Sequence, residues 1–214
     1  MKIGFYIVSY NRWDDIITNR SVPNATVVVR KSQEELYKGA GIEKVWAIQD
    51  DLIDSWVNVM NYVLNNAPEE CIVIMDDDIK AFSYLRQQEN KITDVEVIED
   101  ELIRISVMIH DLELGHGLLN FIADVRKYHE EFTFYGTGGG CYFFNKAVCK
   151  SQFFNEAYAV ADAEFQLQEL MENRLVIYPK YFSGNALFNK GGNTQGRTRE
   201  KVLNSIVWTQ QRRP

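Results

Sequence analysis

Three consecutive carboxylates, Asp76, Asp77 and Asp78, are the residues whose types and spacing point most directly to chemistry. They follow the apolar run at 71–75, which has no helical period and is typical of a strand buried on both faces. Adjacent carboxylates repel one another, so their clustering at the mouth of a buried strand favours a divalent cation, Mg²⁺ or Mn²⁺, that neutralises them. The alternative is a solvated acidic turn that caps the next helix.

Polar side chains also follow the first apolar run of the chain. The stretch 2–9 predicts a strand that ends in Ser9, Tyr10, Asn11 and Arg12. In open α/β sheets, ligands bind at the carboxyl ends of the strands. These four residues are therefore predicted to lie at a binding edge, beside the acidic cluster.

Strand-like and helix-like segments alternate through residue 79. This order predicts a parallel sheet with crossover helices, within one domain that spans residues 1–214. Later segments extend the same α/β pattern. The predicted strands lie at 2–9, 25–30, 45–48, 71–75, 120–125, 142–145 and 175–178. The predicted helices lie at 14–20, from Ser32 to Gly39 or Gly41, and at 52–64, 98–112 and 162–173, with a short helix at the end.

Two glycine-rich segments interrupt this pattern. The cluster at 135–140 lacks the Gly-Lys-Ser/Thr of a phosphate loop, so it predicts a close approach of the backbone, either to a substrate or to a packed neighbour. The segment 184–199 is rich in Gly, Asn and cations, with little apolar period. It predicts a functional loop that carries Lys190, Arg197 and Arg199.

Composition limits the classes of partner. The net charge of −7 and pI of about 5.1 argue against a surface that binds nucleic acid along its whole length. The apolar runs are too short for a membrane span and the first residues do not form a signal peptide, so the sequence predicts a soluble cytoplasmic protein. Three cysteines without metal-ligand spacing are predicted to be reduced.

The β/α half with its terminal carboxylates, the glycine-rich middle and the cationic loop together resemble glycosyltransferases of the GT-A fold. Asp76 and Asp78 match the DxD motif of that family. The resemblance implies a mixed, mostly parallel, Rossmann-like sheet flanked by helices, and a Mn²⁺ or Mg²⁺ ion held by these carboxylates at the diphosphate of a nucleotide sugar. It also implies that the edge formed by residues 9–12 contacts the nucleotide, with Asp77 in the cofactor-binding set.

Inverting members of this family carry a general base, in a Glu-Asp pattern, at the start of a later helix. Asp162 matches the Asp of that pattern, whereas Ala161 replaces the Glu, so Glu164 is the second candidate for the base. A base is required because the acceptor hydroxyl loses its proton as it attacks the anomeric carbon. The resemblance also implies that Lys190, Arg197 and Arg199 stabilise the departing diphosphate.

A third metal ligand in many members is a histidine from the carboxy-terminal region. This sequence has no His after His129, and Asn189, Asn193 or water are the alternatives. Asp162 as the base implies an inverting reaction. Acidic residues in a first helical turn also interact favourably with the helix dipole, so a purely structural role for the segment at 162–164 is open.

A narrower resemblance concerns the acceptor. The compact length, the run at 75–79 and a Gly-Gly pair followed by spaced arginines are similar to small bacteriophage glycosyltransferases associated with TET/JBP-type oxygenases. The expected donor of the glycosyltransferase is a UDP-sugar. The narrower resemblance implies an acceptor that is 5-hydroxymethylpyrimidine in DNA, and the host cytoplasm as location. Tyr135, Tyr142, Phe143 and Trp208 are then candidates to stack on a flipped base, although aromatic residues mostly fill cores.

Three other functions are alternatives. A glycosyltransferase acting on a saccharide or small-molecule acceptor would use the same donor site. A nucleotidyltransferase would carry a glycine-rich cationic loop after the first strand, which residues 9–12 do not form. A non-catalytic metal-binding or nucleotide-binding module would use the carboxylates without a base.

Overall fold

The computed structural model of the chain describes residues 1–136, 138–186 and 198–212. The strands within these residues are β1 (Ile3–Val8), β2 (Thr26–Arg30), β3 (Val45–Ile48), β4 (Cys71–Asp76), β5 (Ile79–Leu85), β6 (Glu89–Ile92), β7 (His116–Leu118), β8 (Phe132–Thr133), β9 (Cys141–Asn145), β10 (Tyr178–Pro179) and β11 (Phe182–Ala186). The α-helices are α1 (Glu34–Gly39), α2 (Trp56–Asn66), α3 (Val95–Asp111), α4 (Ala161–Glu172) and α5 (Arg199–Arg212).

The central sheet is mixed and mostly parallel, as predicted. Its six strands lie in the order β3-β2-β1-β4-β9-β7. The four strands β3, β2, β1 and β4 run parallel to one another, whereas β9 runs antiparallel to β4. In the register of β1 and β4, Val8 lies opposite Asp76. The polar residues after β1 and the carboxylates after β4 therefore emerge side by side at one edge.

Strand β4 is buried on both faces, which explains its continuous apolar sequence. Its first five side chains are each at most 1% exposed. Val73 and Met75 pack on the face covered by α3, whereas Ile72 and Ile74 pack with α2 and with Phe165 of α4. Full burial of one such aliphatic side chain contributes about 1.5–3 kcal/mol, so this strand anchors both layers of the core.

Helix α2 begins later than the sequence pattern predicts. Its first residue is Trp56, because the Ser55 hydroxyl accepts a hydrogen bond from the Asn58 amide at 3.2 Å and caps the helix. This start places the Trp56 side chain at the carboxyl edge of the sheet.

The strand predicted at 120–125 is wrong. Asn120 makes an isolated bridge to Ser183, and its side-chain oxygen accepts a hydrogen bond from the Ile122 amide at 3.3 Å. Such a local bond competes with strand pairing and turns the chain. The residues that pair with β9 are instead those of β7.

A second sheet, in the order β11-β5-β6, continues directly from the carboxylates. Buried Thr18 fixes the junction between the two sheets. Its hydroxyl donates to the Asp76 carbonyl oxygen at 2.6 Å and accepts from the Ile79 amide at 2.8 Å. The Thr18 hydroxyl therefore ties together the backbone on both sides of Asp77 and Asp78.

Replacing Thr18 by Val, which has the same shape, is expected to lower the free energy of unfolding by about 1–3 kcal/mol, because it leaves two buried backbone groups unpaired. Urea denaturation measures this difference. Thr133→Val is the matched control, since the Thr133 hydroxyl bonds the Tyr135 carbonyl oxygen near the surface. A loss no larger than that of the control would show that Thr18 does not hold the junction.

Candidate active site

The two outer carboxylates of the acidic cluster are only partly exposed and lie beside each other. Burial raises the pKa of Asp76 to about 8, with further increases from the charges of Asp78, Asp162 and Asp77. Burial and the charge of Asp77 also raise the pKa of Asp78, while Arg12 opposes that increase. The cluster is therefore short of positive charge, as expected of carboxylates that receive a cation.

Asp77 has a different environment from its two neighbours. One of its carboxylate oxygens accepts a hydrogen bond from the Arg12 guanidinium at 2.6 Å, and the other accepts from the Ser9 hydroxyl at 2.5 Å. Ser9 also shares a hydrogen bond with buried Tyr37 at 2.7 Å. Asp77 therefore ties the end of β1 to the end of β4.

Arg12 connects this tie to the outer carboxylates, since its guanidinium lies 3.5 Å from the carboxylate of Asp78. Asn11 has a different position. It adopts a left-handed backbone conformation, with φ of 56°; its backbone amide donates a hydrogen bond to the Gln33 side-chain oxygen at 3.1 Å, and its side-chain oxygen accepts one from the Gln33 side-chain amide. Asn11 thus shapes the turn after β1 and does not line the cavity described next.

A cavity of about 510 Å³ opens at the carboxyl ends of β1, β2 and β4. Ser9, Tyr10 and Arg12 line it together with all three carboxylates of the acidic cluster. Its volume is within the range of about 300–1,000 Å³ that is usual for small-molecule sites. The predicted edge residues other than Asn11 thus meet the predicted metal ligands in one cavity.

The far wall of the cavity carries an aromatic ring and a cation. The Arg30 guanidinium lies 4.3 Å from the centre of the Tyr10 ring and donates hydrogen bonds to the carbonyl oxygens of Ile53 and Asp54, at 3.3 and 2.5 Å. The Tyr10 side chain is about half exposed. This wall offers a flat ring next to a fixed charge, and both groups suit a planar, hydrogen-bonding ligand.

Several lining residues were not predicted as site residues, and those with polar or aromatic side chains that bear on the chemistry include Arg30, Trp56, Tyr158 and Lys201. The Trp56 side chain hydrogen-bonds Asp76 and lowers its pKa, against the larger effect of burial. Lys201 reaches the cavity because α5 packs against the 3-10 helix Asn155–Val160, where the Ala159 amide donates to the Ser205 hydroxyl at 3.4 Å. Ser205 and Lys201 are polar, so the spacing of apolar residues along α5 does not predict that this helix packs near the cavity.

Of the three cations predicted in the carboxy-terminal segment, Arg199 is the one that lies within the described residues. Arg199 is exposed at the first residue of α5 and does not line the cavity, whereas Lys201 does. Lys190 and Arg197 lie outside the described residues, as do Asn189 and Asn193. Within the described ranges, no three His, Cys, Asp or Glu side chains are grouped so that they could hold a metal ion by themselves.

The two candidates for the base lie on different sides of α4. Asp162 accepts a hydrogen bond from the hydroxyl of buried Tyr142 at 3.1 Å, and its charge acts on Asp76. The Glu164 side chain is 0% exposed and accepts a hydrogen bond from the Gln168 amide at 2.6 Å. The fold thus directs Asp162 toward the acidic cluster and buries Glu164.

The glycines of the cluster at 135–140 have different surroundings: one packs against a neighbouring side chain, and two lie next to site carboxylates. A Cβ at Gly138 would meet the Tyr178 ring at 2.8 Å, so this glycine allows close packing. Gly139 and Gly140 lie at the site instead, because a Cβ there would be 3.7 Å from an Asp162 carboxylate oxygen and 3.8 Å from an Asp76 carboxylate oxygen, respectively. Gly140 also has φ of +74°, a conformation that favours glycine.

No protein-family model matches the sequence, and no curated protein matches it either. Solved structures do match the fold. The mannosyltransferase PcManGT from Pyrobaculum calidifontis, in complex with GDP-Man and Mn²⁺, superposes with a TM-score of 0.61 at 13% identity, over 98% of this chain and 64% of that one. TarS 1–349 from S. aureus, in complex with UDP, gives 0.56 at 14% identity, over 87% and 61%.

A third match is glucosyl-3-phosphoglycerate synthase from Mycobacterium tuberculosis in complex with Mg²⁺ and UDP, with a TM-score of 0.54 at 10% identity, over 97% of this chain and 79% of that one. The predicted GT-A fold is therefore confirmed. The chain spans about three fifths of the TarS fragment that it matches. Among the described helices, none combines the length and hydrophobicity needed to span a bilayer.

Proposed function

We propose that the chain is a metal-dependent glycosyltransferase that moves a sugar from a nucleotide sugar to an acceptor hydroxyl. The observation that carries this proposal is the proximity of Asp162 from α4 to Asp76 from β4, since the charge of Asp162 acts on Asp76 and the glycine backbone at 139–140 lies next to both. A candidate base near a carboxylate cluster that lines a cavity, in a fold shared with nucleotide-sugar complexes, supports this reaction.

The carboxylates fit a divalent cation. Asp76 and Asp78 offer oxygen donors, and the pKa of each is raised, since burial and the neighbouring carboxylates outweigh the charge of Arg12 near Asp78. Oxygen donors suit Mg²⁺ and Mn²⁺, which are usually bound through one or two carboxylates together with substrate phosphates. Once bound, the cation would neutralise charge on the donor diphosphate.

The other residues of the cavity have separable roles in this proposal. Tyr10 and Arg30 form a wall for the base of the nucleotide, and Arg12 and Lys201 supply positive charge for its phosphates. Ser9 and Asp77 keep Arg12 in place through their hydrogen bonds. The donor that the sequence resemblance favours is a UDP-sugar.

Asp162 takes the proton of the acceptor hydroxyl as that oxygen attacks the anomeric carbon, while the bond from carbon to the diphosphate oxygen breaks. The Tyr142 hydroxyl orients the Asp162 carboxylate for this transfer. Attack on the face opposite the leaving diphosphate makes the proposed reaction an inverting one.

The proposal is tested by a thermal-shift screen of nucleotide sugars with Mn²⁺, each repeated with EDTA. Ligand that binds only the folded chain raises the melting temperature by mass action, by an amount equivalent to about 2.7 kcal/mol at one hundred times its Kd. A rise that requires both metal and one nucleotide family supports the proposal. Identical melting curves under all conditions would contradict it and favour a module without a donor site.

Lys201→Gln is expected to weaken binding of the nucleoside diphosphate by about tenfold, because it removes one charge-assisted contact from the cavity. Isothermal titration measures the effect. Arg199→Gln is the matched control, since Arg199 lies two residues away but outside the cavity. Equal losses in the two variants would assign the effect to the net charge of α5 and not to Lys201.

For the acceptor, we propose 5-hydroxymethylpyrimidine in DNA. Of the four aromatic candidates, Tyr142 and Phe143 are buried, and Trp208 packs on Phe154 with ring centres 5.2 Å apart. Tyr135 supports the proposal, because it is 71% exposed and precedes the glycine segment that reaches Asp162. A ring at this position is available to stack on an unpaired base.

Transfer of labelled sugar to duplex DNA containing hydroxymethylpyrimidine, compared with unmodified duplex and with a panel of saccharides, tests the acceptor. Incorporation that depends on the hydroxymethyl group supports DNA. Incorporation into a saccharide, with none into either duplex, would retain the glycosyltransferase and replace its acceptor.

A further inference from the structure

The geometry points to a second, separate binding site, which takes a phosphoryl group. A cavity of about 330 Å³ lies between the start of α3, strands β5 and β6, and the 3-10 turn Thr18–Arg20. Arg20, Lys80 and Lys91 line it, together with the hydroxyl-bearing residues Ser21 and Thr93. This inference goes beyond the proposed function and does not depend on it.

The three cations reach the cavity from three different elements. Lys80 lies on β5 and Lys91 on β6, which pair as an antiparallel hairpin with Phe82 opposite Ile92. Arg20 ends the 3-10 turn, which Thr18 holds against β5. The tertiary structure therefore brings together positive charges that are up to 71 residues apart in the sequence.

The electrostatics of this cavity favour an anion. No Asp or Glu lines it, and no ion pair joins any of the three cations to a described carboxylate. Three acids, Asp94, Glu96 and Glu99, adjoin lining residues in sequence but do not line the cavity. Asp94 accepts a hydrogen bond from the Glu96 amide at 3.0 Å and caps α3, and Glu99 accepts one from the Asn24 side-chain amide at 2.9 Å. The three positive charges around the cavity repel one another, and a bound anion would offset that repulsion. This local excess of positive charge contrasts with the net charge of −7 of the whole chain.

The start of α3 adds to the same preference. This helix has 17 residues, and Val95, its first residue, lines the cavity. The amino-terminal end of a helix carries a partial positive charge and suits phosphate. Cations, hydroxyls and a helix start together match the charge and the several acceptor oxygens of a phosphoryl group.

The second cavity is distinct from the candidate active site. The two cavities share no lining residue, and the hydrogen bonds of Thr18 to Asp76 and Ile79 lie between them. The phosphoryl group could belong to a small phosphorylated molecule or to a nucleic-acid backbone, and the experiment separates these sources.

The experiment is an NMR titration of ¹⁵N-labelled protein at constant ionic strength. Inorganic phosphate and a short unmodified DNA duplex are the two probes. The amides of Ser21, Thr93 and Val95 report on the second cavity, whereas those of Ser9 and Trp56 report on the candidate active site. UDP with Mg²⁺ is titrated separately, so that failure of the proposed donor site and failure of this inference give different spectra.

The Arg20→Gln/Lys80→Gln/Lys91→Gln variant is expected to bind phosphate at least about tenfold more weakly at the second-cavity amides. The matched control, Lys2→Gln/Arg86→Gln/Lys150→Gln, loses the same charge elsewhere and is expected to retain the affinity of the parent chain. The spectra themselves verify that each variant is folded. Shifts at these amides with both probes would identify a nucleic-acid backbone as the source of the phosphoryl group. Shifts with phosphate alone would identify a small phosphorylated molecule. No saturable shift at these amides, or equal affinity in the two variants, would overturn the inference.

Discussion

Asp162→Asn is expected to lower the rate of sugar transfer by about 10²- to 10⁴-fold, the usual contribution of a positioned general base. Asparagine keeps the size of the side chain and still accepts the hydrogen bond from the Tyr142 hydroxyl, but it does not take up a proton. Binding of the nucleotide is therefore expected to be unchanged. Initial rates with saturating donor measure the loss, and calorimetric titration with nucleotide verifies that the donor site is intact.

Glu164→Gln is the control that separates the two candidates for the base. Glu164 is buried and bonded to Gln168, so its replacement is expected to affect stability more than the rate. Full activity of Asp162→Asn would exclude Asp162 as the base. A loss of rate in Glu164→Gln at unchanged melting temperature would transfer the role to Glu164.

Asp76→Asn is expected to stabilise the metal-free chain and to weaken metal binding. The folded-state pKa of Asp76 is raised from 3.8 to about 8, so the folded chain holds this proton more tightly than the unfolded chain. For such a group, folding is most favourable below pH 4 and loses stability as the pH rises from about 4 to about 8. Asparagine removes this loss, so the melting temperature at pH 7.5 without metal is expected to rise by about 10 °C.

The same change removes a proposed metal ligand. The rise in melting temperature caused by nucleotide with Mn²⁺ is expected to disappear, and transfer to fall by about 10³-fold or more. Asp51→Asn is the matched control, since Asp51 is exposed. A preserved Mn²⁺ effect in Asp76→Asn would contradict the metal role, and an unchanged metal-free melting temperature would show that burial of this carboxylate is not costly.

Much of the fold was predictable because it depends on local apolar patterns. The continuous apolar sequence of β4 and the run that forms β2 identified strands without any knowledge of their neighbours. Side-chain hydrogen bonds set the details that the pattern missed. Ser55 delayed the start of α2, and the Asn120 side chain turned the chain where a strand had been predicted to begin.

The site was predictable only where its residues cluster in sequence. Asp76 and Asp78 lie two residues apart at the end of a strand, and the resemblance located Asp162 at the start of a helix. Lys201 carried no such signal, because its role depends on how α5 packs against a distant 3-10 helix. The same is true of Arg30, whose contact with Tyr10 spans two strands.

The amino-acid sequence by itself determined the α/β class, the strand that ends in carboxylates and the type of metal that these oxygens suit, since each follows from neighbouring residues. The tertiary structure decided which carboxylates meet. It turned Asp77 into a tie between β1 and β4, directed Asp162 rather than Glu164 toward Asp76, and gathered Arg20, Lys80 and Lys91 around a second cavity. The physical reason is that burial and charge interactions act over distances of a few ångströms in space, which the separation of residues along the chain does not encode.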